Sequence, residues 1–203
     1  MLVDRFSSVI KTSIVAISAG IVSCITLLVL YGLGYDWAAA LRDASLSEKP
    51  FAGLISDVGI VMTSVAALAA FSAYQKSKQN RFLSLAIFCF AFAIDDYLMI
   101  HERSKVLELA MFACFGVLFL VVYLQFARAN RQSDGPGTVF VIPLLAIGAS
   151  FAFSVIADLG YVKFAELAGL PRRLGYAFED IPKFIGVSLL LSFSVGEWFR
   201  VRA

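Results

Sequence analysis

The chain has one histidine, His101, in 203 residues, and only three cysteines, Cys24, Cys89 and Cys114. One imidazole excludes a three-histidine zinc site. The absence of any Cys-x-x-Cys or Cys/His pairing excludes a zinc finger or a dithiol redox motif. All three cysteines fall inside apolar runs, where thiols are expected to pack as small buried hydrophobes. Charge is scarce as well: 16% of residues are Asp, Glu, Lys or Arg, and the net charge is +2. No basic run interleaved with aromatics occurs, so nucleic acid is not an expected partner. From Arg81 to Phe115 there is neither glycine nor proline, so nothing punctuates that stretch except the polar run His101-Glu102-Arg103-Ser104-Lys105.

What is abundant is apolar sequence. Hydrophobic residues make up 60% of the chain and the mean hydropathy is +0.84, whereas soluble domains contain about 45–50% apolar residues. About 20 apolar residues cross a bilayer. The sequence predicts an all-α integral membrane protein, one polytopic domain of about six transmembrane helices. The expected spans are 12–33, 51–74, 82–100, 106–127, 138–158 and 178–199. Gly32, Gly34, Lys49-Pro50 and Asp134-Gly135-Pro136-Gly137 separate the outer ones. Between the third and fourth, a tight helical hairpin is expected and a single long helix is the rival. Ile21-Val22-Ser23-Cys24 looks like a lipoprotein cleavage box, but the apolar run continues to Tyr31, so a first membrane helix is expected instead.

Lys and Arg number nine on the N-terminal side of this topology and seven on the other, a small bias toward a cytoplasmic N-terminus. A bacterial inner membrane is the default location for such a chain. The acids divide far more sharply. Asp4, Asp134 and Glu197 lie on the N-terminal side, and the other 12 of the 15 acidic residues lie on the opposite side or in that half of a helix. A charge placed in hydrocarbon costs roughly 2.5–3.5 kcal/mol on insertion scales, so intramembrane acids usually face protein or water and mark a site.

Asp95 and Asp96 sit about 9 Å inside the end of the expected third helix, too deep for simple solvation at a helix end. His101 and Glu102 close that helix, and Glu102 shares a face with Asp95. Asp57 lies at similar depth in the second helix, and Lys183, the only lysine inside a span, is its expected partner. Glu108 and Asp158 are nearer helix ends, where solvation is expected. The sixth helix opens with Glu179-Asp180-Ile181-Pro182-Lys183. There Asp180 can cap the helix, Pro182 is tolerated in a first turn, and Glu179 pairs along one face with Lys183. The same residues also suit a site, and both readings stay open.

Several carboxylates beside one histidine suit a divalent cation of unknown identity, with Asp95, Asp96, His101, Glu102 and Asp180 as ligands. With such an ion, metal-activated water could attack a lipid-like or peptide bond, with Asp95, Asp96, Glu179 and Lys183 as the catalytic set. Cation or proton transport is the first alternative, since acids in helices can form a relay. A structural subunit of a membrane complex is the second. The one-sided acids favour a pocket over a pore. The segment 160–176 alternates apolar and charged residues, as an amphipathic stretch lying at the interface would. Ala66, Ala69, Ala70 and Ala73 form a small-residue stripe expected to pack closely against another helix. The phenylalanines, 19 in number, are expected to serve as packing and lipid-facing surface. The lipid bilayer is the surrounding partner, and homo-oligomerisation is left open.

Glu179-Asp180-x-x-Lys183 is similar to the E-E-x-x-[K/R] motif of the intramembrane proteases that include the CAAX-type prenyl endopeptidases. In that family paired acids and downstream histidines serve a membrane-embedded hydrolase. Here the second acid is Asp180, and the only histidine, His101, lies upstream. The likeness covers five residues. Alkaline ceramidase-like hydrolases need several histidines that this chain lacks.

Overall fold

The structure is a computed structural model that describes residues 2–35, 41, 54–98, 100, 104–132, 141–168 and 173–202. Within them, side chains are described except at residues 2–9, 130–132, 141, 158–159, 161–168 and 173–176. The described residues form six α-helices in an all-α bundle: α1 Leu2–Gly32, α2 Leu54–Ser77, α3 Asn80–Leu98, α4 Lys105–Gln132, α5 Val141–Ala168 and α6 Arg173–Arg202. Stretches within α1, α2, α4 and α6 are long and apolar enough to cross a membrane. The apolar part of α5 described in full, Ile142–Ala157, is shorter. The 19-residue α3 carries Arg81 at one end and Asp95-Asp96 at the other.

The outer surface confirms the class. Leu28, Leu68, Val106 and Ile156 are each at least 67% exposed, with many other large apolar side chains outside. A water-soluble monomer rarely leaves so continuous an apolar surface uncovered. The interior is tighter and smaller-grained. Ala66, Ala70 and Ala73 are fully buried on α2, which packs against α3 and α6. Two buried hydroxyls bond back to the preceding turn: Ser23 Oγ to Ala19 O at 2.9 Å and Thr63 Oγ1 to Gly59 O at 2.7 Å. That pairing leaves no bare donor in a medium without water. Two of the three cysteines differ from expectation. Cys89 is buried, but Cys24 and Cys114 are exposed. In lipid a thiol facing outward loses nothing relative to one packed inside, so apolar sequence context does not distinguish the two.

Local sequence explains the turns. After α1, Gly34 takes φ +81°, and Tyr35 N donates to Leu30 O at 2.9 Å while Gly34 N donates to Tyr31 O at 3.0 Å. This paired ending needs a residue that tolerates the left-handed region. Helices α2 and α3 are joined by Lys78-Gln79 alone, which forces them to run antiparallel side by side. The third and fourth helices are separate, as the hairpin reading expected. Ser104 caps α4, its Oγ accepting from Leu107 N at 3.2 Å and its carbonyl from Glu108 N at 2.9 Å.

Helices α5 and α6 are longer than hydropathy predicts. Most of 160–176 is helix, because α5 continues to Ala168 and α6 begins at Arg173; its side chains lie outside the described ones through residue 176. The earlier start of α6 puts Pro182 inside the helix and Asp180 in its third turn. Asp180 is therefore not a helix cap. Pro182 removes one backbone hydrogen bond within two residues of Asp180 and Lys183.

The α5–α6 seam depends on Gly186. A Cβ there would lie 3.0 Å from Phe151 Cε1 and 3.2 Å from Ser150 Cβ. Gly186→Val is expected to push α5 away from α6 and to destabilise the bundle by about 1–3 kcal/mol. Unfolding of the reconstituted protein in a denaturing detergent, monitored by circular dichroism, measures it. No loss would mean that the seam is looser than drawn.

Candidate functional site

The acid-bearing ends of α3 and α6 meet at one end of the bundle. Lys183 Nζ lies 2.7 Å from Asp96 Oδ1, with side-chain exposures of 21% and 6%. Asp180 and Glu179 also act electrostatically on the Lys183 ammonium. That ammonium lies 5.8 Å from the centre of the Phe92 ring, near enough for a cation–π attraction.

Beside this pair is a cavity of about 340 Å³. Asp95, Asp96, Glu179 and Lys183 contribute to its lining, so both faces of the acidic end border one space. Much of the rest of the wall is aromatic, from Phe88 and Phe92 of α3, Phe112, Phe115 and Phe119 of α4, and Phe151 of α5, and small or aliphatic residues of α4 and α5 complete it. Their rings contact one another, with centroids 5.0 Å apart for Phe92–Phe151 and 5.4 Å for Phe92–Phe115. A second, much smaller space of about 10 Å³ touches Asp96, Asp180 and Lys183 together with Ser56 and Gly59 of α2. It has room for about one water.

The other expected site residues fall as follows. His101 and Glu102 lie outside the described residues, and the side chain of Asp158 is likewise outside them. Asp57 is exposed, and the salt-bridge partner of Lys183 is Asp96 rather than Asp57. The reason is azimuth. Ile55 and Gly59 of α2 face inward, and a residue two positions from each is turned about 200° away. Glu108 was expected to be solvated, yet it is 5% exposed and pairs with Lys105 Nζ at 2.7 Å.

Two features escaped the sequence reading. The first is the aromatic wall, although Phe88/Phe92 and Phe112/Phe115/Phe119 stand at three- and four-residue helical spacing and so share faces. The second is a charged knot at the opposite end. Glu197, 3% exposed, pairs with Arg200 Nη2 at 3.1 Å and attracts Arg81 across the helices. The Arg81 guanidinium lies against the Phe82 and Phe126 rings, 4.9 and 5.3 Å from their centres. Between the two charged ends lies apolar packing, including Leu85, Leu144, Ile147 and Leu190, all buried.

Among the described residues, no group of three or more His, Cys, Asp or Glu side chains is arranged to hold a metal ion. The arrangement can receive an apolar body among the rings and a positive charge at the acids. The fold and this geometry cover the region that a known family model also spans. The chain belongs to the family described as a domain of unknown function, DUF8692. The match covers residues 12–196, so it includes every helix that lines the cavity. No curated protein and no solved structure matches the chain.

Proposed function

We propose that this chain is a multi-pass membrane protein whose cavity binds the positively charged end of a membrane-soluble molecule, such as the ammonium of a long-chain amine. One observation carries this reading: a phenylalanine-lined cavity ends on three carboxylates, Asp95, Asp96 and Glu179, against one ammonium, Lys183. Formal charge on the described lining residues is negative, and aromatic walls both fill with apolar chain and attract cations. A divalent cation is the alternative occupant of the same end. It would need to displace Lys183 from Asp96 or draw on His101 and Glu102. Hydrolysis of a lipid-like or peptide bond depends on that metal and is therefore secondary. Transport has less support, because among the described residues the core beneath the cavity is mainly apolar, with Ser188 and Ser194 as the buried hydroxyls of α6 on the way to Glu197. The acid-bearing end faces the side opposite the N-terminus of α1, which is the non-cytoplasmic side if the N-terminus is cytoplasmic.

Thermal unfolding in lipid nanodiscs tests this. A ligand present at a hundred times its dissociation constant adds about 2.7 kcal/mol to stability. A long-chain alkylamine doped into the disc is expected to raise the midpoint, the matching fatty acid is not, and the rise should vanish in Asp95→Asn/Glu179→Gln. A rise with Mg²⁺, Mn²⁺, Ca²⁺ or Zn²⁺, lost in the same variant, would replace the amine by a metal. No shift with any of these would sink the binding reading.

A further inference from the structure

The cavity is not closed on its lipid side. Three of its lining residues, Gly116 of α4 and Ala152 and Ile156 of α5, are also exposed. Ile156 is 68% exposed. A residue that borders an internal space and the outer surface at once lies on the rim of an opening. This opening lies between α4 and α5, which touch only lightly, whereas α4 leans mainly on α3.

The seam is shut at one level and open at the next. At the level of Gly148, α4 and α5 are in direct contact. A Cβ on residue 148 would lie 2.7 Å from Phe119 Cε1, so only glycine lets that ring lie on the α5 backbone. One turn along α5 from Gly148, Ala152 presents only a methyl group. Gly116, nearly one turn from Phe119, presents nothing, and a Cβ there would meet no atom within 4 Å. Gly116 lies eleven residues from the start of α4, about 16 Å along the axis, which is the full depth of one leaflet. The opening therefore faces hydrocarbon rather than headgroups or water.

We infer that the α4–α5 gap at Gly116 and Ala152 is a lateral portal, through which the apolar chain of the bound molecule passes into the bilayer while its charged head rests at Asp95, Asp96 and Glu179. This rests on the binding reading above and adds how the ligand arrives and what shape it has: a single-chain amphiphile, reached from the membrane and not from water. An occupant confined to the cavity would need no opening at that depth. A chain threading it keeps its methylenes in apolar surroundings throughout, so access costs no exposure of the chain to water.

A long-chain alkylamine carrying a photoreactive diazirine at its tail end, incorporated in nanodiscs, tests the inference. In the wild type, crosslinks mapped by mass spectrometry are expected on α4 and α5 near Gly116, Ala152 and Ile156. Ala152→Phe and, independently, Gly116→Phe should cut labelling there by about tenfold, equivalent to 1.4 kcal/mol. Val61→Phe, on the lipid face of α2, should not. Wild-type crosslinks elsewhere in the bundle, or full labelling of both plugged variants that still requires Asp95 and Glu179, would overturn the portal and leave the head-group site standing. Labelling indifferent to Asp95→Asn/Glu179→Gln would instead overturn the site itself.

Discussion

Replacing Lys183 with methionine is expected to destabilise the bundle by on the order of 3 kcal/mol, because removing one partner of a buried ion pair leaves the other charge uncompensated. Asp96 is 6% exposed and has the Lys183 ammonium at 2.7 Å. The loss does not stop at Asp96. Asp180 and Glu179 also feel that ammonium, and Asp95 lines the same cavity, so one substitution removes a cation that acts on several acids.

The reverse substitution should be milder. Asp96→Asn takes one acid from Lys183 but leaves Asp180 and Glu179 within its electrostatic reach. Lys183→Met is therefore expected to lose clearly more stability than Asp96→Asn, although the two side chains form one salt bridge. The double variant Lys183→Met/Asp96→Leu should recover part of the single loss, since it replaces an unpaired charge with apolar packing. A detergent-unfolding double-mutant cycle measures these differences. If the two single losses were equal and the double variant showed their sum, the pair would not be coupled and Lys183 would have no central place in the site.

How far the sequence alone reaches can be seen at these same residues. Hydropathy and chain order put Asp95, Asp96, Glu179 and Lys183 at one end of the bundle, because antiparallel helices alternate sides and each charge interrupts an apolar span. Hydropathy carries no azimuth, however. It assigned Lys183 to Asp57 as the only lysine inside a span, whereas the face of α2 that turns inward is set by Ile55, Gly59 and the alanines. It also stopped α5 and α6 where their sequences turn polar, although the helices run on past that point. That hid the interior position of Pro182 and made Asp180 look like a cap. The Glu197–Arg200 pair was legible as a three-residue spacing, but Arg81 joins it from another helix, and spacing within one helix cannot show that. The cavity was least legible, since Phe residues on a lipid face and on a cavity wall have the same composition and period.

Phe88 and Phe90 turn that last ambiguity into a measurable difference. Phe88 is 1% exposed and meets the rings of Phe92, Phe115, Phe119 and Phe151, with centroids 5.6 to 6.4 Å away. Phe90, two residues on, is 60% exposed. Phe88→Ala is expected to cost on the order of 3 kcal/mol, as large-to-small changes in packed interiors do. The cause differs from that in water. Lipid is as apolar as the protein interior, so the loss comes from ring contacts and the void left behind rather than from transfer out of water. For the same reason Phe90→Ala, which exchanges lipid contact for lipid contact, should change stability by no more than about 0.5 kcal/mol. Phe88→Leu should fall between the two. Because Phe88 also lines the cavity, Phe88→Ala should enlarge it and admit a bulkier amphiphile, even as the bundle weakens. Unfolding in nanodiscs, with and without alkylamines of increasing bulk near the head, separates the two effects. Equal losses at positions 88 and 90 would mean that both rings leave water on folding, and the outward-facing surface of α3 would then not be a lipid surface.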